Sequence, residues 1–115
     1  MHDPTIDPAT FAELQAAAGA DFVKELIDTF LEEAPAMLRE LSDALAAGNA
    51  EKFRRAAHSL KSNSHTFGAL QLGAMARDLE LKGLEHARAS AADALSGLTE
   101  EYERVAAALQ GLRDG

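Results

Sequence analysis

The sequence of 115 residues predicts an all-α fold, an antiparallel up-down four-helix bundle with a short additional helix at the N-terminus. Three observations predict it. Apolar residues recur at three- and four-residue steps through most of the chain, which is the spacing of helices that pack one face on a core. Residues that begin or end helices stand between these stretches. No stretch alternates apolar and polar residues as a half-buried strand does.

The first helix is short. Asp7 is a suitable N-cap and Pro8 suits the first helical position, so the helix begins there. It is expected to run to about Ala18 and to end at Gly19, with Phe11 and Leu14 facing inward.

The second helix is long, from Asp21 to Ala47, and Gly48 stops it. Pro35 lies within it and should bend it, because a proline ring removes one backbone hydrogen bond and collides with the preceding turn. Its expected core positions are Phe22, Leu26, Phe30, Ala34, Leu38, Leu41 and Leu45.

Three more helices follow. Asn49 caps the third, which Gly68 closes; the fourth runs from about Ala69 to Glu85, residues 86–90 form a turn, and the fifth spans about residues 91–112. Glycines 73 and 83 should let the fourth helix approach a neighbour closely. The expected core positions are Phe53, Ala56, Ala57, Leu60, Ser64, Phe67, Leu72, Met75, Ala76, Leu79, Leu95, Leu98, Tyr102, Val105, Leu109 and Leu112.

Length and composition indicate one domain, residues 1–115, with 47% hydrophobic and 26% charged residues. No apolar run is long enough to span a bilayer, no secretory signal begins the chain and there is no cysteine, so cytoplasm is the expected location. The net charge of −8 argues against nucleic acid or an anionic membrane as the main partner.

The third helix carries a histidine on its outer face. His58 points about 150° away from the centre of the core stripe at 100° per residue. Residues 51–66 hold four basic residues and one acidic residue, so this stretch carries +3 and the rest of the chain −11. Such a basic region suits an acidic partner surface or a phosphoryl group, or else neutralises acidic neighbours within the fold.

The run His58-Ser59-Leu60-Lys61-Ser62, followed by Phe67-Gly68, resembles the H-x-L-K-G signature, with its later apolar residue and glycine, of histidine-phosphotransfer (Hpt) domains. The Ala56-Ala57 pair before the histidine matches as well. Ser62 departs from the pattern, since the family usually has glycine there, but serine is nearly as small. Together with the helix count, the resemblance covers almost the whole chain.

The resemblance implies a phosphocarrier rather than an enzyme. His58 would accept a phosphoryl group on Nε2 from a receiver-domain aspartate, or from a sensor or hybrid histidine kinase, and pass it to the aspartate of another response-regulator receiver domain. Lys61 would offset the phosphoryl charge. Glu80 occupies the place from which some Hpt domains orient the imidazole, although the helical pattern leaves that contact open.

The expected docking surface for the receiver is Arg54, Arg55, Ser62 and His65, which surround His58 on the outer face. No metal or other cofactor is expected on this chain, and the Mg²⁺ that phosphoryl transfer requires should come with the receiver. The protein is expected to act as a monomer.

Three alternatives compete with this interpretation. A ferritin-like metal site is disfavoured, because no histidine has a glutamate three residues before it. A helical adaptor that binds a receiver without being phosphorylated is disfavoured by the presence of both His58 and Lys61. The phosphotransfer module of a chemotaxis-type kinase remains open, since local sequence does not separate it from a relay protein.

Overall fold

The computed structural model of the protein describes residues 5–89 and 91–114, and these residues form five α-helices and no β-strand. The all-helical prediction is therefore confirmed. The helices are α1 (Pro8–Ala18), α2 (Ala20–Ala47), α3 (Ala50–Phe67), α4 (Leu70–Ala89) and α5 (Ala91–Asp114).

The ends of the first three helices lie where the capping residues predict them. The Asp7 carboxylate accepts the backbone N–H of Thr10 at 3.0 Å, and the side-chain oxygen of Asn49 accepts that of Lys52 at 3.0 Å. Such contacts satisfy N–H groups that have no partner within the helix. Each of the three helices ends at a glycine with positive φ, namely Gly19, Gly48 and Gly68.

The predicted turn at residues 86–90 is wrong as far as the structure describes it, because α4 continues to Ala89; Ser90 lies outside the described residues. The break lies earlier, at Gly83, whose φ of 80° and ψ of −178° are not helical. Only glycine adopts this conformation readily. A Cβ atom at Gly83 would meet nothing within 4 Å, so this glycine serves the break and not the close approach that the sequence suggested.

Two predicted core residues, Phe22 and Leu112, are instead 52% and 43% exposed. In α2, Val23 and Ile27 are buried in the place of Phe22. Successive four-residue steps advance about 40° too far around a helix of 3.6 residues per turn, so a stripe followed back in such steps from the buried Phe30 has left the core by Phe22. The helix runs without a break through Pro35, and its bend there stays a prediction.

Aromatic residues join three helices in the core. The Phe30 ring of α2 lies 5.3 Å from the Phe67 ring of α3 and 6.0 Å from the Tyr102 ring of α5, centroid to centroid. Burial raises the pKa of Tyr102. The most extensive packing is between α3 and α4, followed by α2 and α3. Across the described part of the chain, no helix combines the length and apolar character needed to cross a bilayer.

Candidate functional site

The buried face of α3 determines where His58 points. All six predicted core residues of this helix are at most 3% exposed. The one polar member, Ser64, donates its hydroxyl to the Leu60 carbonyl at 2.6 Å, so its burial leaves no unpaired group. With that face held by α2 and α4, the His58 side chain on the opposite face is 55% exposed to solvent.

A carboxylate on α4 holds one nitrogen of this imidazole. The Nδ1 atom of His58 lies 2.8 Å from Oε2 of Glu80, whose side chain is only 14% exposed. Nζ of Lys61 lies 2.8 Å from the other carboxylate oxygen, Oε1. This contact is an ion pair, because its geometry at Oε1 is not that of a hydrogen bond. One carboxylate therefore links the histidine and the lysine.

The charge state of Glu80 determines which nitrogen of His58 is free. The Lys61 ammonium holds the pKa of the Glu80 carboxyl below its usual range; burial acts against this shift and His58 adds to it. An ionised carboxylate accepts hydrogen bonds and donates none, so the proton of a neutral His58 ring must be on Nδ1. The Nε2 atom then carries a lone pair and is the nitrogen available for reaction.

The four predicted docking residues share the solvent-exposed side of α3 with His58. Arg54 and Arg55 pair with Glu51 of the same helix, at 3.1 and 4.0 Å. The backbone carbonyl of Ser62 accepts the Thr66 hydroxyl at 3.0 Å, so the Ser62 side chain is not needed for that contact.

His65, the fourth, lies against Gly73 of α4. A Cβ atom built on Gly73 would overlap Cδ2 and Nε2 of the imidazole and lie 3.3 Å from Cε1. The sequence predicted a close approach at Gly73 but did not identify the side chain that uses it.

Sequence reasoning also missed two exposed leucines on α4. Leu70 is 50% exposed and Leu81, directly after Glu80, is 67% exposed. Eleven residues are close to three full turns, so both leucines lie on one side of the helix. Leucines that break the apolar spacing were the available signal, and it was weak because isolated exposed leucines are common.

Comparison with known proteins identifies a family and a similar fold. The family model of the Hpt domain matches residues 25–108. The crystal structure of histidine-containing phosphotransfer protein B (HptB) from Pseudomonas aeruginosa PAO1 superposes with a TM-score of 0.87 and 29% sequence identity, covering 98% of this chain and 97% of that one. No curated protein sequence matches. Since the family model covers well over half of the residues, the chain belongs to the Hpt-domain family.

Proposed function

We propose that this protein carries phosphoryl groups between receiver domains on Nε2 of His58. One observation supports the proposal most strongly: the exposed imidazole has its Nδ1 atom bound to a carboxylate 2.8 Å away. That contact directs the Nε2 lone pair outward, where the active site of another protein can reach it. The sequence motif and the family assignment support the same residue.

In this proposal the Nε2 lone pair attacks the phosphorus of an aspartyl phosphate on the receiver. The N–P bond forms as the bond between phosphorus and the aspartyl oxygen breaks, and the aspartate leaves as a free carboxylate. The Nδ1 proton stays on the ring, which gains positive charge. The Glu80 carboxylate, in contact with that proton, stabilises this charge. Transfer to a second receiver reverses each change.

Lys61 has two parts in the proposal. It pairs with Oε1 of Glu80 and so keeps that carboxylate ionised and in place. It is also one turn from His58, so its ammonium can offset charge on the phosphoryl oxygens during transfer. Such transfer depends mainly on positioning and charge, and the Mg²⁺ it requires is proposed to come with the receiver, which leaves this protein a carrier.

Docking of the receiver over His58 is proposed to use Arg54, Arg55, Ser62 and His65. The basic region suits an acidic active site that holds a phosphoryl group. The arginine–Glu51 pairs are exposed and therefore weak, so a stronger anion can replace Glu51 at little cost.

We also infer that α2–α5 form an antiparallel up-down bundle in a single domain, with α1 covering one end. Arg113 near the end of α5 contacts Asp28 near the start of α2, at 2.6 Å. Phe67 at the end of α3 packs on Phe30 in the first half of α2. The short connections between successive helices fit the same arrangement. A monomer in the cytoplasm remains our expectation.

Incubation with labelled, phosphorylated receiver domains tests the function. Label on this protein should be acid-labile and alkali-stable, as a P–N bond requires. His58→Gln should take up no label while its circular dichroism spectrum stays helical, and the control His65→Gln should still be labelled. Equal labelling of His58→Gln and wild type would refute the proposal. Binding of receivers without any labelling would favour the adaptor instead.

A further inference from the structure

Gly73 of α4 forms a seat for the imidazole ring of His65 of α3, near the proposed acceptor His58. Gly73 is buried in α4, and the His65 ring occupies the space that any side chain at position 73 would need. His65 nevertheless remains exposed on its outer side. The imidazole is thus held against the backbone of α4 while it presents a surface to solvent.

The seat lies in register with the acceptor site. The contact between His58 and Glu80 and the contact between His65 and Gly73 both join α3 to α4. His65 is seven residues after His58 in α3, and Gly73 is seven residues before Glu80 in α4. Seven residues are about two turns, or about 10.5 Å along the helix, and they return a side chain to within about 20° of the same direction. His65 and His58 therefore face the same partner.

The expected size of a docking surface places His65 inside it. A typical interface covers about 800 Å² on each partner, which is a disc of about 16 Å radius. Centred on His58, that disc includes a residue 10.5 Å away along the same face. Side chains that are already ordered lose less conformational freedom on binding. A ring held by Gly73 has this advantage over a freely rotating side chain.

We propose that His65, seated on Gly73, is a preordered contact for the receiver domain and helps to determine which receivers dock; this rests on the proposed function. The contact is made by the exposed surface of the ring. His65 would affect docking, whereas the reaction at Nε2 of His58 would not depend on it.

The test separates docking from reactivity by using two phosphoryl donors. Phosphorylated receivers must dock, whereas phosphoramidate needs no docking: its own N–P bond breaks, ammonia leaves, and the phosphoryl group is transferred to Nε2 of His58. With receivers, His65→Ala should raise KM by about 2- to 10-fold, the value of ordering one side chain at an interface, with kcat nearly unchanged. Labelling by phosphoramidate should stay at the wild-type rate.

Further variants test the contact between the His65 ring and Gly73 itself. Gly73→Ala should displace the ring and raise KM as His65→Ala does, and the double variant should be no worse than His65→Ala alone. The control is Gly111→Ala in α5, where a Cβ atom meets nothing within 4 Å, and it should leave KM unchanged. His65→Phe, which keeps a ring on Gly73, should retain most of the affinity.

Three outcomes would overturn the inference: an unchanged KM for His65→Ala, an unchanged KM for Gly73→Ala, or an equal loss with phosphoramidate and with receivers. Across a panel of receivers, the KM increase for His65→Ala should differ between partners, and a uniform increase would contradict the role in selection. Failure of the proposed function would look different, because wild-type protein would then take no label at His58 from phosphorylated receivers.

Discussion

Replacing Glu80 with glutamine tests the central contact of the site. Glutamine nearly matches the shape of glutamate, but it is uncharged and its amide can present a donor as readily as an acceptor to Nδ1 of His58. The tautomer and orientation of the ring should suffer more than the packing does. Groups that orient a metal-ligating histidine through its second nitrogen are worth about 10- to 100-fold in activity. We expect phosphoryl uptake by Glu80→Gln to slow by a similar factor.

Comparing Glu80→Gln with wild type also tests how the stability of the protein depends on pH. Lys61, first, and then His58 hold the pKa of Glu80 below its usual range, against the opposing effect of burial. A carboxyl group whose pKa is lower in the folded state adds stability above its unfolded pKa of about 4.3, and this stability disappears as pH falls through the lower folded value. The melting temperature of wild type should thus exceed that of Glu80→Gln near neutral pH, and the difference should shrink below about pH 4.

A time course of labelling from a phosphorylated receiver measures the rate of phosphoryl uptake. Thermal unfolding between acid and neutral pH measures the difference in melting temperature. Asp78→Asn is the matched control, because Asp78 also pairs with a lysine, Lys82, but is 57% exposed. Its uptake rate should equal that of wild type. If Glu80→Gln is labelled at the wild-type rate, Glu80 does not orient the imidazole. If its stability deficit grows on acidification, the sign of the linkage is wrong.

Three further predictions concern residues around this contact. Lys61→Ala should slow phosphoryl transfer about tenfold or more, because a charge-assisted contact is lost. It should also lower the melting temperature more than the control Lys82→Ala does, because Lys82 is 50% exposed. If the two variants have equal effects on rate and melting temperature, Lys61 is only a solvated charge. Ser62→Arg should keep or raise the melting temperature, because arginine favours helices more than serine does, but it should weaken receiver binding and slow transfer. Ser62→Gly should be nearly neutral for transfer. If Ser62→Arg transfers as fast as wild type, the docking surface lies elsewhere. Leu81 directly follows Glu80 on α4 and is 67% exposed, so we propose that a receiver docked over His58 also covers this leucine. Leu81→Ser should then weaken receiver binding about tenfold, the effect of no longer burying most of a leucine, whereas Leu112→Ser, also exposed but near the end of α5, should not. Equal binding by the two variants would exclude Leu81 from the interface.

The elements that could be predicted from sequence are those set by local chemistry. The start of α1 follows from Asp7 and Pro8, and the ends of α3 follow from Asn49 and Gly68, because caps act within one turn of the helix. The buried face of α3 was also predictable, since a single apolar stripe fits it and every alternative would bury charge.

The predictions that were wrong concern residues that are compatible with two different local structures. Phe22 and Val23 are adjacent apolar residues, so two stripes about 100° apart are available, and packing against the rest of the molecule selects the one through Val23. Glycine at position 83 suits a close approach and a break in the helix equally well, and only the backbone angles distinguish them.

The contact between Glu80 and His58 could not be predicted for a related reason, because it depends on the distance between two helices. On α3 the side that carries Lys61 has small buried neighbours, Ala57 and Ser64, and on α4 the side that carries Glu80 has Gly73 and Ala76. Helix axes approach more closely where the side chains between them are small. A carboxylate on one helix can then reach an imidazole that points to solvent on the other. We infer that these small residues let α3 and α4 approach closely enough for the Glu80 carboxylate to reach His58, so the geometry of the site is a property of the helix pair and not of the motif alone.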